Sequence, residues 1–368
     1  MGFRQDKIHM GLCMKKELPI VIEENYVKTE CWSFERLSII QTSDKGKAWI
    51  ASHFELFLDD HFNAHFGSLF KWYHSNYYDD ILLTRKINFF KIGKEKIVDK
   101  IKELIDENLY VFFVTDWNLE KSREPLFHGM IIYGYDDEKQ CFRAPIMNEY
   151  KVWISGEISY EKIMGSYDAV VDFFRKNDNR VMFTIDYQFP MLAYKIREDY
   201  STEQCVYMAL EKIENEFNGK ICWNIEGSRE MKLKEGGMYY TGLSCLVGLE
   251  KMLDVFIQNK NHDRNYDLTN TVSQLYEHRK MLIVSMEYIC QQWGISDNTV
   301  MESVNEYKKS CNVFFSWYHI AVKYEICRDK SLLYEILEKI HDVYSLEKKV
   351  LSDFCKNVKR RYREKDNI

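Results

Sequence analysis

Residues 128–139, His-Gly-Met-Ile-Ile-Tyr-Gly-Tyr-Asp-Asp-Glu-Lys, form an apolar run that ends in a polar turn. The apolar part, His128–Tyr135, is rich in aromatic and β-branched residues, which favour strands. Aspartate side chains favour turns, so Asp136–Lys139 predicts a hairpin connection to a further strand at Gln140–Arg143. Tyr110–Thr115 has the same composition and predicts a strand that precedes the hairpin. These patterns together indicate an antiparallel sheet.

Helical patterns and further strands lie on either side of this sheet. Cys31–Gln41 and Lys94–Asn108 repeat apolar residues at the spacing of one helix face. His53–Tyr78 is aromatic and helix-like with poor periodicity, while Leu18–Glu23 and Arg180–Tyr187 are typical of short strands. A helix followed by an antiparallel sheet predicts the α+β class.

The second half of the chain has a different composition. The sequence contains four prolines, none of them beyond Pro190, and no glycine follows Gly294. Because proline and glycine are disfavoured inside helices, their loss predicts a mostly helical region. We therefore predict two domains, with mixed structure over 1–190 and mostly α-helical structure over 191–368.

Long helices are expected in this second domain at Thr241–Gln258, Leu268–Trp293 and Leu332–Val358. Ser201–Gln204 has the sequence of a capping box and predicts the start of another helix. The apolar residues of Leu332–Val358 recur close to heptad spacing. Such a stripe packs either within the domain or against a second copy of the chain, so homo-oligomerisation stays open.

The composition excludes several classes of protein. A net charge of −6 over 368 residues argues against non-specific nucleic-acid binding as the main activity. No segment reaches the roughly 18 consecutive apolar residues of a membrane span. Met1–Glu17 lacks the apolar core of a signal peptide. We therefore expect a cytoplasmic protein that acts neither on nucleic acid nor in a membrane.

Ten cysteines lie at irregular spacing, with no Cys-x-x-Cys pair among them. This pattern disfavours both a disulfide framework and a structural zinc site. His61 and His65 lie four residues apart and would share a face on a helix, but no His-Glu-x-x-His pattern accompanies them. We therefore expect neither a metal nor a cofactor.

Cys31 opens the helix predicted at Cys31–Gln41. The unpaired backbone N–H groups and the positive end of a helix stabilise a thiolate at such a position. His128 begins a strand after a loop of charged residues, where an imidazole can project into a cleft. A nucleophilic cysteine needs a base that is near in space rather than in sequence. We therefore predict Cys31 as a nucleophile and His128 as its base.

The helix-borne cysteine followed by the segment 128–139 resembles the papain-like cysteine-protease fold and, within it, the butirosin biosynthesis protein H family. Tyr110–Asp116 ahead of the histidine, Glu277–Lys280 and Met286–Tyr288 support the resemblance. It covers most of the chain, and segment 128–139 is its most specific part. The resemblance implies a papain-like catalytic domain at 1–190, followed by the mostly α-helical C-terminal domain.

Members of that family resemble proteases in fold but make amides. The resemblance implies that Cys31 takes an acyl group from the phosphopantetheine thioester of an acyl or peptidyl carrier protein and passes it to a small amine. Such acyltransferases act in specialised, nonribosomal antibiotic biosynthesis, and a related papain-like protein acts in closthioamide-type thio-templated assembly. A catalytically inactive papain-fold binding protein and a thiol peptidase or amidase are the alternatives.

The third member of a papain-like triad is where this sequence departs from the family. The family pattern implies an Asn or Asp at Ala144, and alanine accepts no hydrogen bond. Asp116 is the preferred substitute because it ends the strand before the histidine, and Asn148 is the second; otherwise the site is a dyad or is inactive. Asn25, six residues before the cysteine, stands where papain-like enzymes place an amide that binds the oxyanion.

Aromatic residues lie close to the predicted site in the sequence. Trp32 follows the cysteine and Trp117 follows Asp116, so both are candidate substrate-binding residues in a cleft that excludes water. Further aromatic residues of this kind are Trp49, Trp72, Tyr73, Tyr77 and Tyr78. The basic residues from Lys356 to Lys365 either complement the dipole of the last helix or dock an acidic carrier protein.

Overall fold

The structure is a computed structural model of the chain. It describes residues 14–59, 61–66, 77–116, 126–176, 189–223, 238–258 and 267–366. The chain divides into two compact units, and each is described by itself. The described residues within Met1–Glu23 and Leu82–Lys195 form unit 1, and those within Glu24–Ile81 and Ile196–Ile368 form unit 2.

Helices occur in both units and dominate the C-terminal half. In chain order they are α1 (Cys31–Ile40), α2 (Asp44–His53), α3 (Ile97–Asp106), α4 (Tyr160–Lys176), α5 (Cys205–Phe217), α6 (Ser244–Gln258), α7 (Leu268–Gln292), α8 (Asn298–Cys327) and α9 (Ser331–Asp366). Two short 3₁₀ helices, Phe89–Lys91 and Lys94–Lys96, precede α3.

The strands are short and fall mostly in the first half. In chain order they are β1 (Lys15–Glu17), β2 (Leu56–Leu58), β3 (Ala64–Phe66), β4 (Leu82–Lys86), β5 (Tyr110–Asp116), β6 (Phe127–Ile132), β7 (Gly134–Asp136), β8 (Cys141–Met147), β9 (Trp153–Ser159), β10 (Met191–Ile196), β11 (Ile221–Trp223) and β12 (Met238–Thr241).

Unit 1 contains two sheets that share one continuous stretch of chain. The strand orders are β1-β7-β8-β9 and β4-β10-β5-β6, and β6 continues into β7 through Tyr133. The backbone N–H of Tyr133 donates to the carbonyl oxygen of Arg143, with a distance of 3.0 Å between the nitrogen and the oxygen. The chain therefore passes from one sheet to the other at Tyr133 while it keeps its backbone hydrogen bonding.

The apolar pattern of α3 explains its place in unit 1. Ile97, Ile101, Leu104 and Ile105 are all fully buried, whereas the remaining positions of the helix are exposed or half-buried. Burying a side chain of this size stabilises a fold by about 1.5–3 kcal/mol. Every residue of β5 is buried as well, so α3 and β5 form part of the core that fixes the sheet carrying β6.

Unit 2 combines the sheet β11-β12-β2-β3 with helices α1, α2 and α5 to α9. Helices α5, α7, α8 and α9 share an apolar core. A polar network is buried among them: Arg279 and Glu347 are fully buried and form an ion pair of 3.2 Å, and Ser310 donates to the same carboxylate at 3.0 Å. Desolvated ions of this kind persist only when they are paired and hydrogen-bonded.

The two units do not follow the predicted division at residue 190. Residues 24–81 belong with the helical part of the chain after residue 196. The physical reason is packing, because α2 contacts both α5 and α7. Lys212 on α5 also donates to the backbone oxygen of Ile50 on α2 at 3.3 Å. The segment that carries Cys31 is thus part of the helical unit.

Mixed helices and antiparallel strands, with a helical C-terminal region, are compatible with the predicted α+β class. The predicted hairpin over residues 128–143 and the helices at α1, α3, α6, α7 and α9 are confirmed. The strand expected at Arg180–Tyr187 lies outside the described residues. No helix in the described part of the chain combines the length and the apolar character that a membrane crossing requires.

Three local predictions are wrong. The strand expected at Leu18–Glu23 is instead Lys15–Glu17, which pairs with β7. The helix-like stretch at His53–Tyr78 contains the hairpin of β2 and β3 in its described part, because Asp59 forms a turn between them. The hydroxyl group of Ser201 accepts only the N–H of Glu203, and α5 begins four residues later with no side-chain cap.

Candidate functional site

Cys31 is the first residue of α1, as the sequence predicts, and it lies in unit 2. The residue before it, Glu30, has an extended backbone with a φ of −116° and a ψ of 110° and provides no side-chain cap. The first intrahelical bond runs from the N–H of Phe34 to the carbonyl oxygen of Glu30 at 2.9 Å. Cys31 therefore lies where the first N–H groups of a helix have no intrahelical acceptor.

The electrostatic environment of this thiol differs from the prediction. Burial, together with the carboxyl groups of Glu35 and Glu30, raises the pKa of Cys31 to about 11, although the backbone N–H of Cys31 itself acts to lower it. The stabilising effect of the helix terminus is thus present but is outweighed. Within unit 2, burial and the two carboxyl groups favour a neutral thiol over the predicted resting thiolate.

Two acids and the hydroxyl group of Tyr78 lie at the start of α1; Glu35 is buried and Glu30 is half-buried. Burial raises the pKa of Glu35 to about 7, although Arg36 lowers it. Burial also raises the pKa of Glu30, whose carboxylate accepts the hydroxyl proton of Ser33. Tyr78 in turn donates to the hydroxyl oxygen of Ser33 at 3.1 Å. These groups give the helix start an acidic character that the sequence analysis did not anticipate.

Trp32 is engaged by a cation within the same helix. The guanidinium carbon of Arg36 lies 3.3 Å from the centre of the Trp32 ring, and the Nη1 atom of Arg36 donates to the Trp32 carbonyl oxygen at 2.9 Å. One face of the indole is therefore covered by Arg36, and the centre of the Tyr78 ring lies 6.4 Å from the centre of the Trp32 ring. The second predicted aromatic residue, Trp117, lies outside the described residues, as do Trp72 and Tyr73. Trp49 is fully buried and belongs to the core.

Asn25 holds the chain against α1. Its amide nitrogen donates to the carbonyl oxygen of Phe34 at 3.0 Å and to the hydroxyl of Ser38 at 2.9 Å, and its amide oxygen accepts the N–H of Val27 at 3.1 Å. An amide group has two N–H donors, and both are used here. The predicted role as an oxyanion donor is therefore corrected to an anchoring role before Cys31.

His128 is the second residue of β6 in unit 1, so it lies at the start of a strand, as predicted. Its Nδ1 atom lies 2.6 Å from the carbonyl oxygen of Gly129. A carbonyl oxygen only accepts, so Nδ1 carries the proton of this hydrogen bond. In the neutral imidazole the lone pair is then on Nε2, which is the nitrogen that can act as a base.

Asp116 has a structural position rather than that of an imidazole partner. In the antiparallel register Thr115 pairs with His128, and Asp116 pairs with Phe127. Side chains alternate along a strand, which puts Asp116 on the face opposite to that of Thr115 and His128. Its Oδ1 atom accepts the N–H of Leu126 at 2.9 Å. Asp116 thus fastens the ends of β5 and β6 together, and its predicted catalytic role is not favoured.

Ala144, where the family pattern implies the third triad residue, lies on β8, and Asn148, the second substitute, lies in the turn after β8. Arg143 pairs with Gly134, so the next residue, Ala144, lies beside Tyr133, five residues from His128 and about 17 Å along an extended strand. Asn148 closes the turn between β8 and β9, where its Oδ1 atom accepts two backbone N–H groups at 3.0 Å each. The Gly129 carbonyl group instead fixes the tautomer.

The histidine pair weighed as a metal site lies on a hairpin, not on a helix. His65 on β3 contacts Asp59 through Nε2 at 3.1 Å, and Asp59 also accepts the backbone N–H of His61. Burial acts to raise the pKa of Asp59, but the hydrogen bonds from His65 and Asn63 lower it overall. Among the residues that the structure describes, no three His, Cys, Asp or Glu side chains form a group that could hold a metal ion.

One functional candidate was missed by the sequence analysis. Glu277 on α7 is buried, and its two carboxylate oxygens accept the N–H of Lys28 at 2.8 Å and the hydroxyl of Thr29 at 2.5 Å. These residues lead directly into Cys31. Because the partners are separated by almost 250 positions, no local sequence pattern indicates the contact.

No protein-family model matches this chain, and no match is found among the curated proteins. The residues of the candidate site are thus Cys31 at the start of α1 and His128 on β6.

Proposed function

We propose that this protein is an amide-forming acyltransferase of the papain-like type, similar to the butirosin biosynthesis protein H family. In this proposal Cys31 accepts an acyl group from a carrier-protein thioester, His128 is the base, and a small amine is the final acceptor. The observation that carries the proposal is the hydrogen bond from His128 Nδ1 to the Gly129 carbonyl oxygen, which prepares Nε2 for proton transfer. Cys31 at a helix start supports it.

The proposed reaction has two acyl transfers. In the first, the Cys31 sulfur bonds to the thioester carbonyl carbon, the bond from that carbon to the phosphopantetheine sulfur breaks, and the thiol proton passes through the imidazole to the departing thiolate. In the second, the amine nitrogen bonds to the same carbon, Cys31 departs as a thiolate, and the imidazole returns the proton of the amine to its sulfur. The first step exchanges one thioester for another, so its free energy change is small.

The high pKa of the thiol determines how the first step begins. A group with a pKa of about 11 is almost fully protonated at neutral pH, so a resting ion pair with the imidazole is not the starting state. Proton removal by His128 then has to accompany attack on the carbonyl carbon, which is general base catalysis. An activated thioester suits this mechanism better than an amide does, because its carbonyl carbon accepts a weaker nucleophile.

A cationic surface on α9 supports the carrier protein as the acyl donor. We call Lys356, Lys359, Arg360 and Arg363 the basic face; they line a cavity of about 450 Å³ together with Glu364. The dipole of a helix acts within its last turn, and α9 continues to Asp366, so the dipole accounts for Arg363 only. Like charges at i and i+4, such as Lys356 and Arg360, destabilise a helix slightly. A phosphorylated arm on an acidic protein complements these charges.

A papain-fold binding protein without activity is the second candidate. The observation that favours it is again the environment of Cys31, since burial and two carboxyl groups oppose a thiolate. In that case the residues around α1 would bind an acyl or peptide group without covalent chemistry. Hydrolysis by a thiol peptidase is a weaker candidate, because an amide substrate demands a more activated sulfur.

Intact-protein mass spectrometry after incubation with acylated carrier proteins tests the proposal. We expect an acyl adduct in the wild-type protein that is absent in Cys31→Ala and that decays faster when an amine is added. Cys327→Ala is the matched control, because Cys327 is an exposed free cysteine in the same unit and the adduct should persist there. Absence of any adduct, together with retained binding of the acylated carrier, would support the binding protein instead.

A further inference from the structure

The segment that leads into Cys31 is held by two independent anchors within unit 2. Asn25 bonds to α1 itself, and Glu277 reaches the same segment from α7. The carboxylate of Glu277 uses one oxygen on the backbone N–H of Lys28 and the other on the hydroxyl group of Thr29. Both bonds to a charged acceptor are of the stronger, charge-assisted kind. The two anchored residues stand two and three positions before Cys31.

We infer that Glu277 is a positioning residue for Cys31, holding the start of α1 so that the thiol stays half-buried and aimed for acyl transfer. The inference rests on the proposed role of Cys31 as the acyl acceptor. Glu277 itself touches neither the thiol nor, in this proposal, the substrate. It acts through the backbone of Lys28 and Thr29.

The charge of Glu277 is not what perturbs the thiol. The groups that raise the pKa of Cys31 are Glu35 and Glu30, both near it on α1 or just before it, and burial contributes most. Loss of the Glu277 anchor would loosen the residues that lead into Cys31 and expose its thiol to solvent. Release of the segment should therefore make Cys31 more accessible and bring its pKa down toward the ordinary value.

Burial makes the charged form of the Glu277 carboxyl group less favourable. Burial raises the pKa of Glu277 to about 7, while Thr29, Lys28 and Lys280 act to lower it. The titratable groups around it are Lys280 and Tyr276 from its own helix, Lys28 from the anchored segment and Cys311 from α8. Each of them interacts electrostatically with Glu277 or with Lys280. Above pH 7 both oxygens are charged acceptors; below it, one becomes a hydroxyl group and the anchor weakens.

Site-specific alkylation of Cys31 by iodoacetamide, followed by peptide mass mapping between pH 6 and pH 9, tests the inference in the full chain. The variants are Glu277→Leu, which removes both hydrogen bonds, and Glu277→Gln, which keeps one amide oxygen as an acceptor. The matched control is Glu287→Gln, which removes an exposed carboxylate of the same helix that pairs with Lys308 at 2.6 Å.

In Glu277→Leu we expect alkylation of Cys31 at pH 8 to rise about tenfold, because each unit by which the thiol pKa falls gives up to ten times more thiolate. Acyl transfer should fall in the same variant, since a more reactive but misplaced thiol is a poorer acceptor. The change in the wild-type alkylation rate near pH 7 should be smaller in Glu277→Gln, and the part that remains is due to Glu35, whose pKa is also about 7. The Glu287→Gln variant should match wild type in all three measurements.

Unchanged alkylation rates and an unchanged pH profile in both Glu277 variants would overturn the inference, as would an equal change in the Glu287 control. If Glu277→Leu does not fold, the comparison of wild type with Glu277→Gln decides. A failure of the proposed function is recognised separately: wild type then forms no acyl adduct with any thioester, whereas the alkylation comparison still reports on Glu277.

Discussion

Glu35 lies four residues after Cys31 on α1, and its buried carboxyl group raises the pKa of the Cys31 thiol. Residues at i and i+4 are neighbours on a helix surface, so this pair is fixed by the geometry of α1. The pKa of Glu35 is itself raised to about 7 by burial. The acid is therefore charged mainly above pH 7, which is where a thiolate would otherwise begin to form.

The first prediction is that Glu35→Gln makes Cys31 more reactive. Removing a negative neighbour lowers the thiol pKa, and the effect is largest above pH 7, where Glu35 is ionised in the wild-type protein. We expect iodoacetamide to alkylate Cys31 about three to ten times faster at pH 8.5, and equally fast at pH 6, because one pKa unit corresponds to tenfold in thiolate. The same ratio at both pH values would contradict an electrostatic origin. Glu338→Gln, an exposed residue of α9, is a control for surface charge.

Residues that interact within a few positions of each other were predictable, and residues joined across the chain were not. The apolar spacing of Ile97, Ile101 and Leu104 predicts α3, because a helix with one buried face has apolar residues every three or four positions in its sequence. Glu35 is visible at i+4 from the cysteine, but its burial, which sets its own pKa, depends on the packing of distant elements. Glu277 and the shared unit of α1 and α5 depend wholly on such packing.

In the candidate site, too, the sequence predicts the local position of a residue but not the contacts of its side chain. The sequence places His128 at a strand start, but the hydrogen bond of Nδ1 to Gly129 depends on a side-chain torsion that composition does not encode. The register of β5 and β6 decides that Asp116 lies opposite Phe127. A shift of one residue would have brought Asp116 to the face of His128, since side chains alternate, and the hydrophobic pattern alone does not distinguish the two for a strand buried on both faces.

The second prediction concerns His128→Ala. If its imidazole removes the thiol proton during attack, its loss should lower the rate of acyl-adduct formation by about 10²–10⁴-fold, which is the usual contribution of a general base. Adduct formation at pH 10 should fall less, because more of the Cys31 thiol, with its pKa of about 11, is already ionised there than at pH 7.5. The measurement is single-turnover adduct formation by mass spectrometry at pH 7.5 and pH 10. A rate unaffected at both pH values would show that His128 has no part in the reaction.

The third prediction is that Asp116→Asn leaves acyl transfer within about threefold of wild type. The amide oxygen of asparagine still accepts the N–H of Leu126, so the ends of β5 and β6 stay fastened. Asp116→Ala removes the acceptor, and the loss of this hydrogen bond to the exposed residue Leu126 costs about 0.5–1.5 kcal/mol of the free energy of unfolding. Urea unfolding and adduct formation are measured on both variants. A loss of 10²-fold or more in Asp116→Asn would restore Asp116 as the partner of the imidazole.

The fourth prediction concerns Lys212, whose pKa burial lowers to about 7, although Glu55 and Glu216 act to raise it. Between pH 7 and its unfolded value of about 10.5, the unfolded chain binds a proton that the folded chain does not. The stability of the wild-type protein therefore rises with pH through this window by about 1.4 kcal/mol per unit from this group, and the gain is lost as pH falls to 7. Lys212→Met removes the dependence.

Urea unfolding of wild type and Lys212→Met at pH 7, 8.5 and 10 measures how the free energy of unfolding depends on pH. The advantage of the variant should be largest at pH 7, where the wild type folds with a buried ammonium group, and should shrink as pH rises. Lys309→Met is the control, because Lys309 is exposed and pairs with Glu306 on the same helix. A difference between wild type and Lys212→Met that does not vary with pH would mean that Lys212 titrates normally.

The fifth prediction concerns the basic face of α9. The double variant Lys356→Glu, Arg360→Glu should lower the rate of acyl transfer from a carrier protein by about tenfold or more, because reversed charges on a docking surface slow encounter with an acidic partner. Transfer from a small N-acetylcysteamine thioester, which has no protein part, should be unchanged. The wild-type rate with the carrier should also fall as salt is raised from 0.05 M to 0.5 M, and the rate of the double variant should not.

Lys349→Glu is the matched control on the same helix, since Lys349 pairs with Asp353 and lies outside the cavity of the basic face. Equal losses with the carrier and with the small thioester would point to damage at the acyl-transfer site rather than to docking. Equal rates for wild type and the double variant with the carrier would show that the basic face has no role in docking the carrier protein. The acyl donor would then have to dock elsewhere on the chain.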